Sequence, residues 1–276
     1  MNDRTLGLCI AVMSGCGASD TGDAGFDAGT VTTATDAGAL PTFSFFVTSY
    51  RALQQLSGRA EGFGGDLRFG QAGALAGLRG ADLICATIAA QSMPGAEAKQ
   101  WRAFLSVVDG GDGLPRHAIE RVGTGPWYDR LGRLVAMNPS ALAKLRPQGA
   151  DPLIIDDLPN EDGVPNHRPD PSLAAVDNHH VLTGSDDQGH LFSTTSTCLD
   201  WTSALGDRAL EGQARAGRSW PQGPVNDKGD SWIAAVEVSG CAAGVNLANT
   251  GGIDLATPTV GSGGGYGAIY CFALTP

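Results

Sequence analysis

Beyond residue 16 the chain has no apolar run approaching the roughly 20 residues that a membrane-crossing helix needs. It is also short of positive charge, with 18 Lys and Arg against 29 Asp and Glu. Five of those acids and one arginine lie in the first 40 residues, so the remainder holds 24 acids against 17 bases. An acidic body repels phosphate backbones, which argues against a nucleic-acid partner. No Gly-x-Ser-x-Gly elbow occurs, so the plentiful Ser, His and Asp define no hydrolase triad. No phosphate loop or dinucleotide fingerprint follows a strand; Gly261-Ser262-Gly263-Gly264-Gly265 lacks a helix behind it.

What is present begins with six cysteines. The opening reads Met1-Asn2-Asp3-Arg4-Thr5, then a mostly apolar stretch from Leu6 to Met13, then Ser14-Gly15-Cys16. A charged start, a short apolar core and small residues before a cleavage point mark a secretory signal over residues 1–15. Met13-Ser14-Gly15-Cys16 resembles a bacterial lipobox, which implies lipidation of Cys16 and an anchor in the membrane. Cys9 lies inside the signal and leaves with it. Residues 16–40 are built almost wholly from Gly, Ala, Asp, Thr and Ser and cannot bury enough apolar area to fold. They read as a tether with a reach of about 25–30 Å.

Residues 41–276 then form one domain rich in turns, as the 40 glycines and 15 prolines of the chain require. Cys85, Cys198, Cys241 and Cys271 are an even set able to form two disulfides, which persist outside the cytosol. Thr42–Ser49 alternates and predicts a strand. Gly58–Gly70 predicts a loop. Leu75, Leu78, Ala81, Cys85, Ile88 and Ala89 recur at helical spacing and predict a helix over Ala74–Gln91. Strands are expected at Trp101–Val108, Leu134–Met137, residues 179–184, Ser231–Val238 and Tyr266–Leu274, with a helical turn at Arg116–Val122. Residues 148–177, 185–197 and 242–265 are long loops, where ligand contacts concentrate.

Several segments stand in the order found in the endostatin domain, a variant of the C-type lectin fold. They are Gly77-Leu78-Arg79-Gly80-Ala81-Asp82 leading to Cys85, and Trp101-Arg102-Ala103-Phe104-Leu105-Ser106. Val181-Leu182-Thr183-Gly184-Ser185-Asp186, Thr197-Cys198-Leu199-Asp200-Trp201, Ser239-Gly240-Cys241 and Ile269-Tyr270-Cys271 follow. Residues 43–274 thus resemble an endostatin-like domain such as those of spirochaete surface lipoproteins. The resemblance implies an α+β fold of mixed antiparallel sheets, one main helix, long loops and two disulfides. Four cysteines allow three connectivities; the resemblance implies Cys85–Cys271 and Cys198–Cys241. It carries the fold further than the ligand. No histidine precedes His117, where endostatin's zinc ligands would lie. The body is acidic, where endostatin's heparin surface is basic, and a Glu-Pro-Asn calcium loop is absent.

Candidate chemistry is sparse. Asp156, Asp157, Asn160 and Asp162 offer hard oxygens before Gly163, as calcium prefers, though not at EF-hand spacing. Asp186 and Asp187 in a turn, and Asn226, Asp227 and Asp230 ahead of Trp232, are the residues expected to meet a ligand. Trp127, Trp201, Trp220 and Trp232 could stack on sugars or fill the core. His179 and His180 are adjacent on an expected strand, so their side chains should oppose one another. The expectation is a lipid-anchored, extracytoplasmic, non-catalytic protein that binds a protein or glycan without a resident cofactor. The alternatives are a metal-dependent hydrolase using His180, His190 and neighbouring acids, and a purely structural envelope lipoprotein.

Overall fold

The structure, a computed structural model, describes residues 42–167, 169–225, 228–248 and 258–275. Cys16, the signal and the tether lie outside them, as do Asn226 and Asp227. The described residues form a mixed α+β body. Its centre is the strand β8 (Gly265–Ala273), buried along its whole length. Burial on both faces explains why this segment is a continuous apolar run rather than an alternating one.

Strand β1 (Phe45–Val47) pairs antiparallel with β8, setting Phe46 opposite Cys271. Strand β2 (Trp101–Ala103) also pairs antiparallel over Cys271–Ala273, so it must take the other edge. Further back, β5 (His180–Leu182) joins that edge in parallel, with Leu182 opposite Ile269. Strands β6 (Arg215–Arg218) and β7 (Val236–Glu237) extend the sheet beyond β5. Strands β3 (Trp127–Tyr128) and β4 (Leu134–Ala136) make a separate hairpin.

The main helix, α2 (Ala76–Ser92), buries Leu78, Ala81, Ile84, Cys85, Ile88 and Ala89. Cys85 is bonded to Cys271, which clamps the helix to the central strand. The second bond joins Cys198 to Cys241. These are the pairings that the endostatin resemblance implies. Gly77 and Gly80 let the helix approach other backbone: a Cβ would lie 2.2 Å from the Asp200 carbonyl oxygen at the first and 2.1 Å from those of Leu67 and Arg68 at the second. Phe43, Phe45, Phe46, Trp101, Phe104, Trp127, Trp232, Tyr270 and Phe272 fill the core.

The strand expected over Thr42–Ser49 is shorter, because Ser49 instead opens helix α1 (Tyr50–Ser57). Its side chain accepts from the Ala52 N–H, and Gly58 closes the helix at φ 66°. The strand expected from Trp101 to Val108 ends at Ala103. Ser231–Val238 pairs only over Val236–Glu237; Trp232, Ile233 and Ala234 are all buried in a turn, with the Trp232 N–H bonded to the Leu145 carbonyl. Helix α3 (Ala118–Arg121), β4 and β8 fall where the sequence predicts them.

Candidate functional site

Residues 198–201 carry four successive positive φ values between 50° and 63°, forming a left-handed turn. Side-chain-bearing residues pay roughly 1–2 kcal/mol each for that conformation. The turn is over-determined. Cys198 is disulfide-bonded, the Asp200 carboxylate accepts from the Val108 and Asp109 N–H groups, and the buried Trp201 donates from Nε1 to the Ser106 carbonyl. Leu199, half exposed, is presented outward by this geometry. Three surface clefts border this turn and the four residues that follow it.

The residues expected to meet a ligand do not converge. Asp186 closes its own turn, accepting at Oδ1 from the Gln188 and His190 N–H groups at 2.9 Å each. Asp187 sits in the field of Arg215. Asp230 is buried beside Arg218 at 3.5 Å. Trp232 is fully buried and donates to the Leu142 carbonyl, so it is a core residue and offers no ring face to a ligand. Trp127, Trp201 and Trp220 are buried as well.

The calcium candidates also point to separate partners. Asp156 is exposed, 3.7 Å from the buried Arg146. Asp157 meets His167 at 3.1 Å; burial raises its pKa to about 6, with His167 opposing the shift. Asn160 accepts from the Asp162 and Val164 N–H groups through Oδ1 and shapes the turn, leaving Asp162 exposed. Among the described residues no group of three or more His, Cys, Asp or Glu is placed to hold a metal ion.

The histidines are rearranged relative to expectation. His179 and His180 rings lie 4.2 Å apart, because the strand begins only at His180 and its register shifts between His180 and Val181. His179 therefore folds back against Gly264, where a Cβ would collide with the ring, and shares a 2.6 Å hydrogen bond with Asp177. His180 is buried, and desolvation, then His179 and Arg218, hold its pKa well below the usual value. His190 instead packs against His117, with ring centroids 4.7 Å apart and the planes tilted by 58°. His180 and His190 thus serve different neighbourhoods.

Glu161 stands out among residues that sequence reasoning did not single out. Only 7 % exposed, its carboxylate accepts from the Ser49 N–H at 2.9 Å and the Ser49 Oγ–H at 2.5 Å, capping α1 from a distant loop. Burial raises its pKa to about 7 against those hydrogen bonds. It forms the floor of a cleft of about 160 Å³ that is rimmed by Arg51, Gln55, Gln91 and Ser172. A wider cleft of about 400 Å³ lies past the end of α1, lined by Arg59, Phe63, Phe69 and Gln71. In the sequence it is merely part of a glycine-rich loop.

Two disulfides place this body in an oxidising, extracytoplasmic compartment. Among the described residues no helix is long and apolar enough to cross a membrane. No family model matches the chain, and no curated protein matches it.

Proposed function

We propose that this protein is a lipid-anchored recognition module of the bacterial surface or envelope, in which an endostatin-like, C-type-lectin-like domain binds a protein or glycan ligand without transforming it. The observation that carries the reading is the placement of the two cystines. One fixes the main helix to the central strand, and the other pins the left-handed turn, which lines two open clefts. A rigid core with shaped, polar surface loops is the organisation expected of a binding scaffold. The side chains with perturbed pKa values serve the fold. Glu161 caps a helix, and His180 packs on its neighbour.

The anchor follows from the lipobox-like Met13-Ser14-Gly15-Cys16. Intact mass of the membrane-extracted protein should show a diacylated Cys16 as the mature N-terminus. The binding reading is tested by probing glycan and protein arrays with the purified protein, with and without chelator. Saturable binding is the expected result, and a chelator effect would assign calcium a part in it. An empty array in both conditions, together with turnover of any hydrolase substrate, would overturn the reading.

A further inference from the structure

We propose that the cleft beyond the end of α1 takes the free C-terminal carboxylate of a partner protein whose last residue is apolar. The proposal rests on the recognition role above and assigns it a place and a chemistry. The cleft holds about 400 Å³, enough for one terminal residue and part of the next. Its charge is uneven. Arg68 is neutralised by Asp66, donating from Nε to Oδ1 at 2.8 Å and from Nη2 to Oδ2 at 2.5 Å. The Arg59 side chain is exposed and has no ion pair or hydrogen bond among the described residues. One uncompensated cation in a net acidic body attracts a single carboxylate while the wider field disfavours a polyanion.

The apolar wall has a shape that distinguishes ligands. Phe63 and Phe69, both half-buried, stand 5.7 Å apart at 89°. Rings packed edge to face present an angled apolar wall for a side chain, not the flat platform on which a pyranose stacks. Gln71, half-buried with no side-chain partner among the described residues, brings an amide NH2 donor group and a carbonyl acceptor, which can meet the C=O and N–H of a peptide unit. The wall is also pre-set, which limits the ordering cost of binding. Phe69 is held at φ 44° between the Leu67 N–H bond to the Trp201 carbonyl and the Gln71 N–H bond to the Arg68 carbonyl. Carboxylate, apolar side chain and peptide unit together describe a chain terminus.

The test uses the full-length protein and labelled hexapeptides ending in phenylalanine or leucine, each as the free acid and as the amide, read by fluorescence polarisation at pH 7.4. The free acids should bind at least about tenfold more tightly than the amides, the loss expected for one charge-assisted contact. Arg59→Gln, at an exposed site, should erase that preference by weakening the free acids to the level of the amides; Phe63→Ala should weaken both forms. Equal binding of acid and amide, an acid preference that survives Arg59→Gln, or no binding of either overturns the proposal. If peptides fail while an array reveals another ligand, this site falls and the recognition role stands. If the arrays are empty too and a hydrolase substrate is turned over, both fall.

Discussion

Glu161 illustrates how a single buried carboxylate ties distant segments together and makes stability depend on pH. It lies 112 residues from Ser49 in sequence, yet its two oxygens take the N–H and O–H of that residue. Its pKa is about 7 in the folded chain against an ordinary value of 4.5. The folded state therefore binds a proton more readily than the unfolded state between those limits. The resulting contribution is fully present below about pH 4.5 and is lost as pH rises through 7, for a total of roughly 3 kcal/mol. Glu161→Gln keeps an acceptor for the Ser49 N–H and cannot ionise. Urea denaturation from pH 5 to 8 should show wild-type stability falling relative to the variant as pH rises. A constant difference between the two curves would exclude Glu161 as the source. In the sequence this glutamate is only one acid among several in Asp156–Gly163, since nothing local reports that its partner is a helix cap 112 residues away along the chain.

At the scale of elements, two backbone choices bear opposite predictions. Gly80 lies within α2, where alanine would ordinarily favour the helix by about 1 kcal/mol. Here the added Cβ would lie 2.1 Å from two carbonyl oxygens of the Leu67–Arg68 segment, and backbone cannot swing aside as a side chain can. Steric conflict wins, and Gly80→Ala should cost about 2 kcal/mol or more, lowering the melting temperature by several degrees. Leu199, by contrast, is exposed at φ 55°. Relief of about 1–2 kcal/mol of left-handed strain exceeds the roughly 0.5–1 kcal/mol entropic cost of a glycine. Leu199→Gly should therefore stabilise the protein by about 0.5 kcal/mol, seen as a rise of one to two degrees by calorimetry.

The same local physics explains what the sequence disclosed. Strand β8 and helix α2 were legible because each buries a long, regular apolar pattern. Strand β6 was not. Arg215-Ala216-Gly217-Arg218 has no β-branched residue, and it lies in the sheet because Gly217 admits the Trp232 carbonyl where a Cβ would be only 1.8 Å away. The candidate site was less legible still. Trp232 belongs to the core and the two adjacent histidines touch, while the clefts are assembled from loops whose mutual placement no periodicity encodes.

For the whole molecule, the question is what holds together a body whose strands are mostly two to four residues long. The cystines answer it differently. Cys85–Cys271 spans 186 residues and joins the main helix to the strand that every other part of the sheet is built upon. Cys198–Cys241 spans 43 residues and fixes a peripheral turn. Loop-closure entropy alone assigns them on the order of 5 and 4 kcal/mol respectively, a small difference. Position in the fold separates them far more. Losing the first leaves two uncrosslinked side chains in the buried core that also holds Phe45, Ile84, Ile88 and Phe272, and frees α2 from the centre of the sheet. Losing the second frees the left-handed turn to relax, while β1, β2, β5 and β8 keep their register. The Cys198→Ala, Cys241→Ala double variant should consequently fold, with a lower melting temperature and altered exchange protection confined to residues near 65, 108 and 198–204. The Cys85→Ala, Cys271→Ala variant should fail to give a cooperative transition at 37 °C. Hydrogen exchange and near-ultraviolet circular dichroism distinguish the outcomes. Equal damage from the two deletions would mean that chain entropy, not the helix-to-strand clamp, governs this fold, and that the left-handed turn is as central to it as β8.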